Sequence, residues 1–317
     1  MKVLVTGIAG FIGSNTAKKL LERGDEVVGI DNFNDYYDPS LKERRISDFL
    51  GAYNLRVYRV DISDKKELGK IFEENKIDKI CHLAAQAGVQ YSIENPSTYI
   101  QSNIIGTNNL LELAKDNDIK DFVFASSSSV YGGNTKIPFS ESDNVDSPIS
   151  LYAATKKANE LQAHVYHHLY GINCVGLRFF TVYGPWGRPD MALFKFTKSI
   201  LDGEPINVFN NGKHKRDFSF VDDIVSGIVS ALDNCKGYEI YNLGNNNPVD
   251  LEYFISVIED KLNKKAIKNY LPLQVGDVPE TYADIEKAKQ KLGYQPKTSI
   301  EEGIEKFINW YLKYYGK

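Results

Sequence analysis

The stretch KVLVTGIAGFIG, residues 2–13, joins an apolar run to three evenly spaced glycines and predicts a strand that turns directly into a helix. The glycines are Gly7, Gly10 and Gly13. Glycines at such a turn allow a pyrophosphate to approach the helix N-terminus, where free N–H groups and the helix dipole favour anions. The spacing GxxGxxG departs from the common GxGxxG fingerprint, so the prediction depends on the strand before it and the helix after it. With both present, the stretch indicates a dinucleotide-binding α/β fold.

The acidic residue that ends the next predicted strand indicates which dinucleotide binds. EVVGID at 26–31 places Asp31 18 residues after Gly13. A carboxylate there accepts hydrogen bonds from the adenosine ribose hydroxyls and repels a 2′-phosphate, which favours NAD over NADP. A third predicted strand, LRVYRVDI at 55–62, ends near Asp61, which we expect to reach the adenine amino group.

Strand-like and helix-like segments alternate along the first half of the chain. This alternation predicts a doubly wound parallel sheet with helices on both faces, an α/β Rossmann-type fold. We expect residues 1–178 to form the NAD-binding domain and residues 179–317 to form mainly a smaller C-terminal substrate-binding lobe. Within 217–244, VDDIVSGIVSALDN and YEIYNLG predict a helix and a strand that return to the sheet.

The composition of the 317 residues is that of an ordinary soluble globular protein, with 42% hydrophobic and 25% charged residues. A net charge of -4 argues against broad binding to nucleic acid or membrane surfaces. No apolar run reaches the length of a membrane span, and the N-terminal stretch lacks the cleavage site of a signal peptide. The three cysteines, Cys81, Cys174 and Cys235, are far apart and indicate neither a disulfide framework nor a metal site. The expected compartment is the cytoplasm.

Tyr152 and Lys156 are the strongest candidates for acid–base chemistry. They lie four residues apart at the start of a predicted helix, so both side chains occupy one face. A phenol with a pKa of about 10 is a poor base at neutral pH. A nearby ammonium and the positive nicotinamide of NAD⁺ would favour the phenolate. A lysine four residues after a tyrosine arises easily by chance, so the prediction relies on the other motifs around the pair.

The run SSSSVYG at 126–132 follows the apolar segment DFVFA and places four serines at the end of a predicted buried strand. Four adjacent hydroxyls are poor core material because each needs a hydrogen-bond partner. A polar strand cap is the ordinary explanation. A chemical role is the alternative, and the serines alone leave that question open.

Taken together, the segments TGIAGFIG, HLAAQ, SSSSVYG, YAATK and RDFSFVDD resemble the extended short-chain dehydrogenase/reductase family over essentially the whole chain. Its nucleotide-sugar epimerase branch is the most similar. The resemblance implies Ser127, Tyr152 and Lys156 as the catalytic set, bound NAD, a nucleoside-diphosphate sugar in the C-terminal lobe, and a homodimer built on two long helices. Beside the residues named above, the cofactor-binding residues expected on this basis are Phe11, Ile12, Asn32, Ile62, Leu83, Ala84, Ala85, Asn103 and Phe180.

The same resemblance implies residues for the sugar nucleotide. Arg216 matches an arginine that contacts the diphosphate in uridine-nucleotide members, and Asp277 matches the acid that binds the uridine ribose. Gln274 stands where many galactose-type epimerases carry a second arginine. The segments at 29–45 and 177–196 resemble the UDP-glucuronate 4-epimerases, with Arg188 and Thr181 as distinctive positions. Trp186 and Met191 are expected to pack within the lobe.

Oxidation at C4 of a uronate gives a β-keto acid, which loses CO₂ easily, so an epimerase has to hold the carboxylate without promoting its loss. The neutral hydroxyls of Ser128, Ser129 and Thr181 suit that task. Related decarboxylases resemble TSEVYG, with Glu at the position of Ser129, and 4,6-dehydratases resemble TDEVYG, with acids at Ser128 and Ser129. The absence of these acids favours 4-epimerisation of UDP-glucuronate to UDP-galacturonate. The alternatives are a UDP-hexose 4-epimerase, a UDP-glucuronate decarboxylase, and a non-catalytic NAD-binding sensor, which would normally have lost Tyr152 or Lys156.

Overall fold

The protein is described by a computed structural model that covers residues 1–274 and 276–317. Its centre is a seven-stranded sheet in which every neighbouring pair of strands is parallel. The strands are β1 (Lys2–Thr6), β2 (Glu26–Asp31), β3 (Arg56–Arg59), β4 (Lys79–His82), β5 (Asp121–Ser127), β6 (Asn173–Phe179) and β10 (Tyr238–Leu243). The predicted Rossmann-type fold is confirmed.

The strand order is β3-β2-β1-β4-β5-β6-β10. The chain therefore builds outward from β1 to one edge and then returns to build the other half from β4. In doubly wound sheets, ligands bind at this reversal, in the crevice beyond the carboxyl ends of the strands. The sheet is apolar on both faces: Phe122, Val123 and Phe124 of β5 are all fully buried.

Twelve α-helices accompany the sheet among the described residues. They are α1 (Phe11–Glu22), α2 (Pro39–Arg44), α3 (Lys65–Glu74), α4 (Tyr91–Glu94), α5 (Pro96–Tyr99), α6 (Gly106–Asp116), α7 (Leu151–Tyr170), α8 (Ala192–Asp202), α9 (Val221–Asp233), α10 (Leu251–Leu262), α11 (Glu286–Leu292) and α12 (Ile300–Tyr315). Helix α9 lies against α1 and β5, and β10 pairs with β6, as predicted for the segments that return to the sheet.

Helices α5 and α6 do not form one continuous α-helix. A π-helical segment, Ile100–Ile105, separates α5 from α6. Such a widened turn leaves backbone carbonyls without their usual helical partners. The carbonyls of Asn103 and Ile104 instead accept hydrogen bonds from the side chains of Asn159 (2.7 Å) and Gln162 (3.2 Å) on α7.

Two small sheets lie outside the central one. One contains β7 (Thr181–Tyr183), β9 (Lys215–Phe220) and β11 (Pro248–Asp250), and the other contains β8 (Ile206–Val208) and β12 (Lys268–Tyr270). Across the described residues, no helix is both long and apolar enough to cross a bilayer. Nor do the described His, Cys, Asp and Glu side chains form a group of three or more that could hold a metal ion.

Candidate active site

A cleft of about 1070 Å³ lies beyond the carboxyl ends of the parallel strands. It is bordered on one side by the β1–α1 turn and on the other by residues of β7, α8 and the segment 276–281. Of the residues expected to bind cofactor or substrate, all but Asp61 and Asn103 line it. Those that do are Gly7, Gly10, Phe11, Ile12, Gly13, Asp31, Asn32, Ile62, Leu83, Ala84, Ala85, Ser127, Ser128, Ser129, Tyr152, Lys156, Phe180, Thr181, Arg188, Arg216 and Asp277.

The β1–α1 turn requires its glycines. Gly7 has φ of 70°, in the left-handed region, and a Cβ there would lie 2.8 Å from the Cα of Ala84. A Cβ on Gly13 would lie 2.0 Å from the carbonyl oxygen of Gly7. Gly10, the N-cap of α1, offers no side chain to the first turn, so that end of the helix remains open to the cleft. This cradle of backbone N–H groups fits a pyrophosphate.

Asp31 is hydrogen-bonded to the backbone of the turn and also lines the cleft. Its Oδ2 accepts a hydrogen bond from the Ala9 N–H (3.1 Å) and its Oδ1 from the Phe33 N–H (2.9 Å). Burial raises the pKa of the Asp31 carboxyl, while these N–H donors and the Lys42 ammonium oppose the rise. A carboxylate in this place fits the adenosine ribose of NAD.

Asp61 and Asn103 are not among the residues that line the cleft, and their polar atoms make other hydrogen bonds. Asp61 accepts from the Asn32 side chain (2.8 Å) and from the N–H and hydroxyl of Ser63. Asn103 is 1% exposed, and its amide exchanges hydrogen bonds with the backbone of Gln86 at 2.9 and 3.0 Å. It also donates to Thr155 of α7 (3.0 Å), so it fixes the wall of the cleft against α7.

Tyr152 lies in the first turn of α7, where Ser150 caps the helix by accepting from the Ala153 N–H at 3.1 Å. Burial raises the pKa of the Tyr152 phenol, and the Ser127 hydroxyl and the Arg188 charge oppose that rise. The Lys156 ammonium donates to the Ala125 carbonyl of β5 at 2.9 Å. Burial lowers the pKa of Lys156 to about 8.

The serine run divides into two parts. Ser126 is buried and donates to Glu160 of α7 at 2.7 Å. Strand β5 ends at Ser127, whose Oγ accepts from the Ser129 N–H at 3.1 Å and lies 3.1 Å from the Ser129 hydroxyl. A tight 3₁₀ turn, Ser128–Tyr131, follows. Ser127 therefore caps the strand end, and the hydroxyls of 127–129 also face the cleft.

A buried ion pair beneath the serines was not anticipated from the sequence. Arg178 of β6 donates to both oxygens of Glu160 at 2.8 and 2.9 Å, and both side chains are nearly inaccessible. Arg178 also donates to the Tyr131 hydroxyl at 3.0 Å. The available signal was spacing: Glu160 follows Tyr152 and Lys156 at intervals of four residues and therefore lies on the same face of α7.

On the opposite side of the cleft, the expected substrate residues are paired with other side chains. Arg188 forms a two-pronged ion pair with Asp190, and Asp190 also accepts from the Tyr36 hydroxyl at 3.2 Å. Arg216 donates to Asp277 at 2.8 Å. Further lining residues that the sequence did not reveal are Tyr36, Tyr37, Lys42, Asp190, Lys195, Asn207 and Phe209. Trp186 packs on Phe49, Trp310 and Tyr314, as expected, whereas Met191 lines the cleft.

A comparison with known proteins agrees with this geometry. Residues 3–244 match the sequence model of the NAD dependent epimerase/dehydratase family. The chain belongs to this family. Among the relatives of this family member, protein CapI of Staphylococcus aureus is 52% identical over 335 aligned residues that cover 100% of both chains. UDP-glucuronate 4-epimerase 1 of Arabidopsis thaliana is 50% identical, with 100% of this chain and 78% of the plant protein covered.

Among solved structures, this member of the epimerase/dehydratase family is similar to UDP-glucuronic acid 4-epimerase from Bacillus cereus in complex with UDP-glucuronic acid and NAD. The TM-score is 0.93 at 38% identity, and the alignment covers 99% of this chain and 100% of that one. The fold and the family inferred from the sequence motifs are thereby confirmed.

Proposed function

We propose that the protein is an NAD-dependent 4-epimerase that interconverts UDP-glucuronate and UDP-galacturonate. One observation carries the proposal. The strand tip beside Tyr152 presents only the neutral hydroxyls of Ser127–Ser129, and Arg188 supplies a cation to the same cleft. Relatives at about half identity that are UDP-glucuronate 4-epimerases support the choice of substrate.

The glycine turn, the open N-terminus of α1 and Asp31 would hold the pyrophosphate and ribose of NAD. When bound, NAD⁺ would supply a hydride acceptor at C4 of the sugar and, once reduced, the hydride donor for the reverse transfer. Tyr152 takes the proton from the 4-hydroxyl in the first half of the reaction and returns it in the second. The Ser127 hydroxyl would hydrogen-bond to the oxygen of the same 4-hydroxyl. Lys156 supplies a positive charge on the face of α7 that carries Tyr152.

The hydroxyls of Ser128, Ser129 and Thr181 would hold the uronate carboxylate together with Arg188. Hydrogen bonds from neutral hydroxyls retain the carboxylate in its charged form and introduce no second anion beside it. The diphosphate would bind at Arg216 and the uridine ribose at Asp277. These two side chains are paired with each other in the structure, so binding of the nucleotide has to exchange that ion pair for contacts with the ligand.

The experiment that tests the proposal is a product assay. The purified protein is incubated separately with UDP-glucuronate, UDP-galacturonate, UDP-glucose and UDP-N-acetylglucosamine, and the products are identified by NMR. We expect the two uronates to interconvert without net consumption of NAD⁺, because the hydride leaves and returns. A UDP-pentose with release of CO₂ would identify a decarboxylase, and conversion of only the neutral sugars a UDP-hexose 4-epimerase. If no sugar is converted, the alternative of a non-catalytic NAD-binding sensor is favoured.

We also infer that the protein is a cytoplasmic homodimer, with 1–178 and the returning segment near 217–244 binding NAD and the remaining residues binding the sugar nucleotide. Leu161, Val165 and Leu169 recur every four residues on the outer face of α7 and are 48–60% exposed. Ile100 and Ile105 of the adjoining π-helical segment are also exposed. An apolar face of this kind suits helix packing against a second copy. Sedimentation of the wild type and of the charge variants Leu161→Glu and Val165→Glu tests the dimer.

A further inference from the structure

Arg45 is a buried cation whose hydrogen bonds, among the described residues, all go to uncharged oxygen atoms. Its side chain is 0% exposed, and no carboxylate oxygen of residues 1–274 and 276–317 lies within 4.0 Å of its guanidinium. A cation removed from water is strongly disfavoured unless hydrogen bonds satisfy its donors. Arg45 directly follows α2 and begins a π-helical segment, Arg45–Phe49.

The donors of Arg45 are satisfied by oxygen atoms from both sides of the cleft. Nη1 donates to the Ala9 carbonyl at 2.9 Å and to the Tyr37 hydroxyl at 2.6 Å. Nε and Nη2 donate to the Trp186 carbonyl at 3.1 and 2.6 Å, and Nη2 also reaches the Gly187 carbonyl at 3.3 Å. One planar guanidinium therefore joins the glycine turn to the segment that carries Arg188.

On the first side, Arg45 completes the restraint of one peptide of the glycine turn. The Ala9 N–H is held by the Asp31 carboxylate and the Ala9 carbonyl by Arg45. Ala9 lies between Gly7 and Gly10, which border the expected pyrophosphate site. Fixing the residue through both its N–H and its carbonyl keeps the neighbouring N–H groups pointed toward the cleft before the anion arrives.

On the second side, Arg45 holds a residue in a backbone conformation that side chains rarely adopt. Trp186 has φ of 62°, in the left-handed region. Such a conformation persists only when its surroundings determine it. The two hydrogen bonds to the Trp186 carbonyl and the packing of its ring on Phe49 and Trp310 provide that determination. Arg188 follows two residues later and lines the cleft, so the backbone conformation of Trp186 helps to set its position.

We propose that Arg45 is a positioning residue that holds the NAD turn and the Arg188 segment in one fixed relation, so that cofactor affinity and preference for a uronate depend on the same side chain. This proposal rests on the function proposed above. A second contact joins the Arg188 segment to the loop after β2. Asp190, which pairs with Arg188, accepts a hydrogen bond from Tyr36, the neighbour of Tyr37. Contacts therefore run without interruption from the glycine turn through Arg45 to the segment of Arg188 and Asp190. From Asp190 they return through Tyr36 to the loop after β2, which carries Tyr37.

The test compares Arg45→Gln with Arg44→Gln. Arg44 is the adjacent residue, but it is exposed and pairs with Asp48 at 2.8 Å outside the cleft, so it is a matched control. Binding of NAD to stripped protein, and of UDP-glucuronate, UDP-glucose and UDP at saturating NAD, is measured by calorimetry. For Arg45→Gln we expect about tenfold weaker NAD binding and about a tenfold smaller preference for UDP-glucuronate over UDP-glucose, because charged hydrogen bonds are lost at both ends. UDP affinity and all Arg44→Gln values should stay within about twofold of wild type.

The outcomes separate positioning from a general structural role. Weakening of UDP together with the other ligands would mean that the fold as a whole had loosened, and would overturn the proposal. A variant that loses NAD affinity but keeps its preference for the uronate, or the reverse, would also overturn the proposal. NAD affinity and uronate preference would then not both depend on Arg45. A wild type with no uronate preference would instead remove the proposed function, and this inference with it.

A milder variant covers the case in which Arg45→Gln does not fold. Tyr37→Phe keeps the ring beside the guanidinium but removes one of its acceptors. We expect about two- to threefold reductions in both NAD affinity and uronate preference, at unchanged UDP affinity. No change in either quantity in this variant would contradict the proposal.

Discussion

On the cofactor side of the cleft, meaning residues 7–13 and Asp31, the geometry is set by backbone conformation within short segments. On the sugar side, meaning residues 181–190, 216 and 276–281, it is set by side-chain ion pairs and hydrogen bonds, two of which join distant parts of the chain. Gly13 packs against the carbonyl of Gly7 within a turn of seven residues, whereas Asp190 meets Tyr36 across 154 positions and Arg216 meets Asp277 across 61. Local turn and strand patterns can be predicted from a sequence, whereas partners of side chains that lie far apart in the chain are identified only from the structure.

The two sides meet at Tyr152, and its removal should have the largest effect on turnover. Tyr152→Phe removes the proton acceptor while retaining the ring that packs edge-on against Tyr99, with centroids 6.0 Å apart. General acid–base help contributes about 10²–10⁴-fold, so kcat should fall by that factor. NAD binding and the thermal midpoint should be retained.

The control for this variant is Tyr170→Phe, a tyrosine in the last turn of the same helix that is 44% exposed. It should epimerise at the wild-type rate. Near-normal turnover in Tyr152→Phe would show that the proton acceptor is another group.

The backbone architecture of the cofactor side could be predicted from the sequence. The glycine turn, Asp31, the parallel sheet and the return of α9 and β10 all followed from local periodicity and turn residues. Asp61 and Asn103 do not line the cleft in the structure, and their expected contacts with the cofactor stay predictions. Whether a polar side chain faces a cleft or a neighbouring backbone depends on packing that periodicity does not encode. The π-helical segment at 100–105 was missed for the same reason, since the α7 amides that satisfy its carbonyls lie over 50 residues away.

The sugar side was predicted only through resemblance to a family, and its internal partners were not. Arg188 and Arg216 were identified as cations, but Asp190 and Tyr36 were not identified as partners of Arg188. Arg45 could not be found because nothing in the run KERR distinguishes the buried arginine from the exposed one beside it.

A new charge on the sugar side should separate charged from neutral substrates. Ser129→Glu places a carboxylate beside the expected uronate site, where like charges 4 Å apart repel by about 4 kcal/mol at an effective dielectric constant of about 20. Solvent in the open cleft reduces that value, so UDP-glucuronate should bind about ten- to a hundredfold more weakly. UDP-glucose should be much less affected. The 4-keto intermediate that still forms should lose CO₂ more often and raise the ratio of UDP-pentose to UDP-galacturonate.

Ser129→Gln is the control, since it has the size of the glutamate variant without its charge. If charged and neutral sugars weaken equally in Ser129→Glu and no pentose forms, Ser129 does not contact the carboxylate. The serine tip would then be a strand cap in which only Ser127 serves the chemistry.

A change at the nucleotide end of the sugar side should affect every UDP-sugar alike. Asp277→Asn removes the charge that pairs with Arg216 at 2.8 Å and leaves one acceptor oxygen instead of two for the ribose hydroxyls. A hydrogen bond to a charged group contributes about 1.5–3 kcal/mol, so we expect binding to weaken by about ten- to a hundredfold, and equally, for UDP-glucuronate and UDP-glucose. Asp250→Asn, whose exposed carboxylate is 3.6 Å from Lys215, is the control and should bind both normally. A selective loss of the uronate would place Asp277 near the carboxylate instead of the ribose.

The smallest expected effect concerns the dependence of turnover on pH and involves Lys156. Burial lowers the pKa of Lys156 to about 8, so its ammonium is present below that pH and is lost as the pH rises through it. Rising pH therefore has two opposite effects: it favours deprotonation of Tyr152, and it removes the positive charge that would favour the phenolate. The rise of kcat/KM with pH should consequently flatten near pH 8 in the wild type. Lys156→Met should be slower throughout and should show no inflection there.

Stability gives an independent check with a definite sign. Because the pKa of Lys156 is lower in the folded chain than the ordinary value of 10.5, the unfolded chain binds more protons between about pH 8 and 10.5. Over that interval the free energy of unfolding of the wild type should rise relative to that of Lys156→Met, which has no group to titrate. Denaturant unfolding at pH 7, 8, 9 and 10 measures the difference between the two proteins. A difference that stays constant with pH would mean that Lys156 titrates at its ordinary pKa, and the flattening of kcat/KM would then need another cause.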